Sequence, residues 1–221
     1  MPCADDDGPM VHLWSLDDDV VVEPGEDEDE LVITGRWGTA RIGHPGPIVR
    51  EALRRMELGP VMLANAGPAR TDSDVADVYL VMLPTLSKLS GMVVRTLGLA
   101  DLKGPLLSVF PVCSNASFAL VRMPVGQPVR LPSGVSLTLE KTGFALESAD
   151  SPHRVVLHRP EAAWVVAMLA WPVTPEAASA ALPLPPEVTE GIIGYLAAAG
   201  MAAPVGGRPE PGGGARQAAD P

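Results

Sequence analysis

Residues 153–169, HRVVLHRPEAAWVVAML, hold two of the chain's four histidines, His153 and His158. Two imidazoles so close could share a metal or pass a proton. HRVVLH alternates as a strand, however, and positions five apart on a strand point to opposite faces, so no metal pair follows. His12 and His44 are isolated, and no Ser-His-Asp set can be assembled around them. No glycine-rich phosphate loop follows a strand in the required way, and the terminal GGG at 212–214 has the composition of a linker. Cys3 and Cys113 offer neither a disulfide framework nor a metal spacing. The sequence thus nominates no catalytic residue, no metal ligand and no cofactor-binding residue.

Binding chemistry is better represented. Arg50, Arg54 and Arg55 are the local basic cluster, on the outer side of a helix whose inner side is Ile48, Val49, Ala52, Leu53 and Met56. The cluster reads either as a solvated face or as a docking face for an acidic peptide. Trp164 and Trp171 read as core and loop anchors.

These residues need elements to position them. LWSLDDDVVVEP, LVITGRW and TARIG read as three strands, followed by a helix opened by Pro45 or Pro47 and stopped by Gly59-Pro60. Val75, Val78, Met82, Leu86, Leu89 and Val93 are spaced by threes and fours, which predicts one long helix from Thr71 or Asp72 through Leu97, kinked at Pro84. GPLLSVFPVCS and SFALVRMP predict a hairpin around Ser114-Asn115. VSLTLEK, FALESAD and HRVVLH then read as strands, and PEAAWVVAML, TPEAASAAL and PPEVTEGIIGYLAAAGM as helices.

The order strand, strand, strand, helix, helix, helix thus occurs twice, with His44-Pro45 matching Arg159-Pro160. The expected fold is α+β: tandem winged-helix-like units of three strands and three helices each, linked by a long helix and a β-hairpin. The expected division is a disordered acidic arm over 1–10, a first unit with its long helix over 11–100, a connecting hairpin over 101–131, a second unit over 132–204 and a disordered Gly/Pro tail over 205–221.

Charge narrows the use of such units. The formal net charge is −11, but residues 1–30 contain eight Asp, four Glu and no Lys or Arg. The remaining chain is close to balanced. No strongly basic face can be assembled, and the third helix of the second unit carries Glu187 and Glu190, which argues against nucleic acid as the partner. No apolar run is long enough to span a bilayer and the first residues are acidic, so a soluble, reducing cytoplasmic setting without a membrane partner is expected. The other use of the unit is to accept an extended peptide as an added strand, with a helix beside it lining a groove. That reading singles out the third strands, Arg41 and Ile42 in the first unit and Val155, Val156 and Leu157 in the second. Ile193 and Leu196 would line the groove or else belong to the core.

LWSLDDDVVVEP, TGRWGTARI, VREALRRMELGPV, LPTLSKLSGMVVRTLGL, PLLSVFPV, HRVVLHRPEAAWVVAML and VTEGIIGYLAAAGM, in that order, resemble the N-terminal region of actinobacterial SagB-type dehydrogenases over about residues 11–203. That family oxidises azolines to thiazoles and oxazoles in ribosomally made peptides. Its FMN sits in a nitroreductase-like domain that follows this region. The resemblance implies leader-peptide-recognition modules in the present chain, with Arg50 and Arg54 facing an acidic leader. It implies no FMN in this chain; the flavin would belong to a missing or partner domain. Expected partners are the precursor peptide and a flavin-domain or cyclodehydratase protein. A stand-alone binding subunit, half of a split azoline dehydrogenase and a truncated product all fit this expectation.

Overall fold

A computed structural model describes residues 10–206, apart from residues 28, 67–71, 102, 121, 122 and 125 and the side chains of residues 72–77. The disorder expected for the acidic arm and for the Gly/Pro tail falls on residues 1–9 and 207–221, outside the described residues.

The chain is mixed α+β, and a six-stranded antiparallel sheet is its frame. In chain order the strands are β1 (Met10–Leu16), β2 (Val21–Pro24), β3 (Glu30–Gly35), β4 (Gly38–Gly43), β5 (Val93–Leu99), β6 (Pro105–Pro111), β7 (Val129–Arg130), β8 (Ser136–Glu140), β9 (Gly143–Glu147), β10 (His153–Leu157) and β11 (Ala203–Pro204). The large sheet runs β1-β5-β6-β10-β9-β8. β2-β3-β4 form a separate meander, and β7 pairs with β11. The helices are α1 (Pro47–Leu58), α2 (Asp72–Lys88), α3 (Pro160–Met168), α4 (Pro175–Ala181) and α5 (Pro186–Ala198), with a 3-10 turn at Leu63–Ala66.

Four of these helices begin at a proline, where the missing N–H costs nothing and the fixed φ suits the first turn. α4 adds a side-chain cap, because the Ala177 N–H donates to Thr174 Oγ1 at 3.2 Å. α1 buries Val49, Ala52, Leu53 and Met56 against β1, β2 and α2, as its spacing predicts. Glycine is needed at Gly143, the close of the β8–β9 hairpin. Its φ is +143°, and a Cβ there would lie 2.0 Å from the Leu157 carbonyl oxygen.

The buried apolar side chains form two clusters. The larger joins the large sheet to α3, α4 and α5, and the smaller gathers the meander, α1 and α2 around Ile33, Leu53 and Met82. The expected strands and helices of residues 136–198 are present as β8, β9, β10, α3, α4 and α5.

The first half differs from expectation in four places. LWSLDDDVVVEP is not one strand: a turn at Asp18-Asp19 sends β1 into the large sheet and β2 into the meander. The long helix ends at Lys88 with Pro84 inside it, and residues 93–99 are β5, paired with β1 and β6. Leu89 and Val93 continued the helical spacing, but a central strand buried on both faces is also a near-continuous apolar run, so spacing alone could not separate the two. The hairpin around Ser114-Asn115 is absent among the described residues. Residues 117–120 form no strand, Val121 and Arg122 lie outside the described residues, and β6 pairs with β5 and β10. The segments 11–100, 101–131 and 132–204 are bound by one sheet, since β5 and β6 are neighbours and β6 pairs with β10.

The order of three strands followed by helical elements recurs as β2-β3-β4-α1-turn-α2 and β8-β9-β10-α3-α4-α5. The matched pair preceding the first helix is not alike in conformation: His44 has φ +49°, whereas Arg159 is extended at φ −125°. No helix of the described residues is long and apolar enough to cross a membrane.

Candidate functional site

The two third strands differ in what lies beside them. β10 is hydrogen-bonded on both sides, Val155 facing Val109 of β6 and Leu146 of β9. Val155, Val156 and Leu157 therefore cannot accept an added strand, which corrects the expectation for the second unit. β6 of the same chain takes the place that a peptide would have taken. Ile193 and Leu196 are also removed from any groove, being buried in the larger core at 1% and 0% exposure.

β4 is different, because among the described residues it pairs only with β3. The His44 N–H donates to the Asp29 carbonyl at 2.6 Å, so that facing pair is a bonded one. Bonded pairs alternate in an antiparallel ladder. Ile42 and Ala40 therefore bond inward to Leu31 and Ile33, and Thr39, Arg41 and Gly43 turn their backbone groups outward. Lys88 Nζ at the end of α2 donates to the outward Arg41 carbonyl at 2.8 Å. Arg41 also pairs with Glu30 at 2.9 Å while remaining largely exposed, and Ile42 is buried beneath the strand.

The arginine cluster of α1 is less free than its sequence implies. Glu51 lies between Arg54 and Arg55 at 2.9 and 2.6 Å, and the two guanidiniums, Arg54 first, hold its carboxyl down at about 2. Arg50 faces Asp29 at 3.7 Å. Arg41, Arg50 and Arg54 are thus each matched with a local acid.

A second site was invisible in the sequence. Arg95 of β5 stands opposite Trp14 of β1, with its guanidinium carbon 4.0 Å from the Trp14 ring centroid and 5.0 Å from that of Phe118. These residues line a cavity of about 100 Å³ together with Tyr79, Leu83 and Leu86. No acid among the described residues pairs with Arg95. Its Nε and the Trp14 Nε1 are both shielded from solvent and have no hydrogen-bond partner. Burial pulls the Arg95 guanidinium below the usual arginine range. Behind it, the Tyr195 hydroxyl meets His12 Nδ1 at 2.9 Å, with the two rings stacked. Burial raises the Tyr195 phenol to about 12, against the opposing pull of Arg95. His12 is shifted down by burial and then by the Arg95 charge. The sequence reading missed Arg95 because it placed the residue on a helix. Placed on a strand, Arg95 would have stood out as a charged residue amid buried neighbours.

A third polar group lies on the other face of the sheet. Ser108 Oγ meets Thr96 Oγ1 at 2.8 Å and His158 Nε2 at 3.0 Å, beside a cavity of about 310 Å³ that Ser15 and Asp17 also line. A hydroxyl and an imidazole at that distance are a nucleophile and a base in type. Among the described residues, no carboxylate is hydrogen-bonded to the imidazole to orient it, and no cluster of His, Cys, Asp and Glu could hold a metal ion. Trp164 and Trp171, expected as core and loop anchors, are both exposed. Compared with known proteins, the chain matches no family model and no curated sequence.

Proposed function

We propose that this chain is a peptide-binding module that takes up an extended acidic segment as a strand along the free edge of β4. The observation that carries the reading is the outward row of backbone groups at Thr39, Arg41 and Gly43, flanked by the side chains of Arg41 and Lys88. Main-chain pairing supplies affinity without demanding a sequence, and the adjacent cations favour acidic residues. The recurrence of three strands and helical elements supports a tandem winged-helix-like reading of the two halves. In that reading β6 fills beside β10 the place that stays open beside β4. Together with the resemblance to the leading region of SagB-type dehydrogenases, this makes the leader of an azole-modified precursor peptide the proposed ligand, bound in the cytoplasm, with the flavin chemistry carried by a partner.

The test is fluorescence polarisation with a labelled acidic leader peptide encoded beside the gene. Binding with a Kd on the order of micromolar is expected. Arg41→Pro removes an outward N–H that β3 does not use. It should weaken binding at least about tenfold, the worth of one lost main-chain bond with the Arg41 charge lost besides, while leaving the circular dichroism spectrum unchanged. No polarisation change at high micromolar protein overturns the proposal.

A further inference from the structure

We propose that the cavity at Arg95 is a carboxylate-binding site, filled by an acidic side chain of a bound peptide or by a free small carboxylic acid. The peptide source rests on the strand-addition reading above; the site itself does not.

The chemistry follows from how the guanidinium is held. It lies over the rings of Trp14 and Phe118. The N–H edge of a guanidinium matches the two oxygens of a carboxylate. Arg95 is half-buried, and a guanidinium drawn out of water without a counter-charge is costly and is normally paired. Here the polar group that steadies Arg95 is the Tyr195 hydroxyl, a neutral phenol that is shared with His12 and supplies no counter-charge. A second orphan donor, the Trp14 indole N–H, belongs to the same cavity wall. Both orphans are donors, so the missing partner is an acceptor, and the arginine charge makes it an anion. Ser87, Ser90 and Ser117 add hydroxyls to the lining. Leu83 and Leu86 give it an apolar side that suits the methylenes of an aspartate, a glutamate or a short fatty acid better than a hydrated inorganic ion. A volume of about 100 Å³ is several times what a single water needs, so a carboxyl group with a methylene or two fits. Ser87 and Lys88 are consecutive, so the cavity and the β4 edge meet the same end of α2.

The test is a titration of the full chain with sodium propionate, followed by the NMR signals of arginine Nε–H and tryptophan Nε1–H. The Arg95 and Trp14 signals, assigned through Arg95→Met and Trp14→Phe, should move downfield and saturate at millimolar propionate. Sodium chloride at equal ionic strength should not reproduce the shift. Arg95→Met should abolish the response and yet raise the melting temperature, because it removes an uncompensated charge at similar volume. A merely structural arginine would give the opposite change in melting temperature. Should that variant not fold, the wild-type titration decides alone.

No saturable shift, or the same shift with chloride, overturns the site. If propionate saturates and an acidic leader peptide binds more tightly than its Glu→Gln, Asp→Asn counterpart in wild type but not in Arg95→Met, the carboxylate comes from a peptide. Propionate saturation with no peptide binding assigns the site to a free acid and defeats strand addition. Peptide binding without propionate saturation defeats the site and leaves strand addition standing.

Discussion

At the scale of single residues, one buried and two half-buried histidines make the fold sensitive to acid in one direction. His12, His153 and His158 are all held below the ordinary imidazole value by burial first, with the Arg95 charge adding to the effect at His12. A base whose folded pKa is depressed binds more protons when unfolded, so stability is full above about pH 6.5 and falls as the pH drops below it. His153 is 3% exposed and its Nδ1 has no partner, so it alone can steepen the loss by at most about 1.4 kcal/mol per pH unit. Urea midpoints at pH 8, 7, 6 and 5 should be level at first and then decline, and His153→Phe should flatten the decline. Tyr195→Phe keeps the ring against Phe118 and His12 and removes only the hydroxyl, so it should cost about 1 kcal/mol by urea denaturation. The sequence put Arg41 and Ile42 together at a peptide edge, whereas strand alternation separates them, Arg41 exposed and Ile42 buried. The role of Arg95 was not legible there, because its meaning depends on Trp14, which is brought beside it from about eighty residues away in the chain.

At the scale of elements, helices that start at proline and carry an apolar stripe were legible, as were the short strands around β9. A turn between them also tolerates little change. Gly143→Ala places a Cβ against the Leu157 carbonyl at a φ that L residues avoid, and a loss of about 3 kcal/mol in urea denaturation is expected. What sequence could not decide was the identity of β5, whose burial on both faces erases the alternation that marks a strand. Nor could it tell that β10 would be enclosed, because pairing with β6 is a property of the sheet and not of either segment. The outer strand β8 exposes Leu137 and Leu139 at 52% and 73% on a margin unpaired among the described residues. Such an edge invites association with other copies. Leu139→Lys should therefore raise the concentration at which light scattering first appears, with stability changed by no more than about 0.5 kcal/mol.

At the scale of the whole molecule, the α+β class was legible from the strand and helix order, whereas the single sheet uniting both halves was not. Local pattern reports which face of a segment is apolar and leaves open which distant segment will cover it. The hydrogen bond between His12 and Tyr195 spans 183 residues, and α5 rests on β1 where Gly191 leaves room for Met10. This bears on vectorial synthesis. During synthesis β1 leaves the ribosome long before α5, the helix that shelters it, exists, so productive docking must wait until residues through Ala198 have emerged. Release of a product cut short before Pro186 would strand that early segment without its cover and mark it for proteolysis.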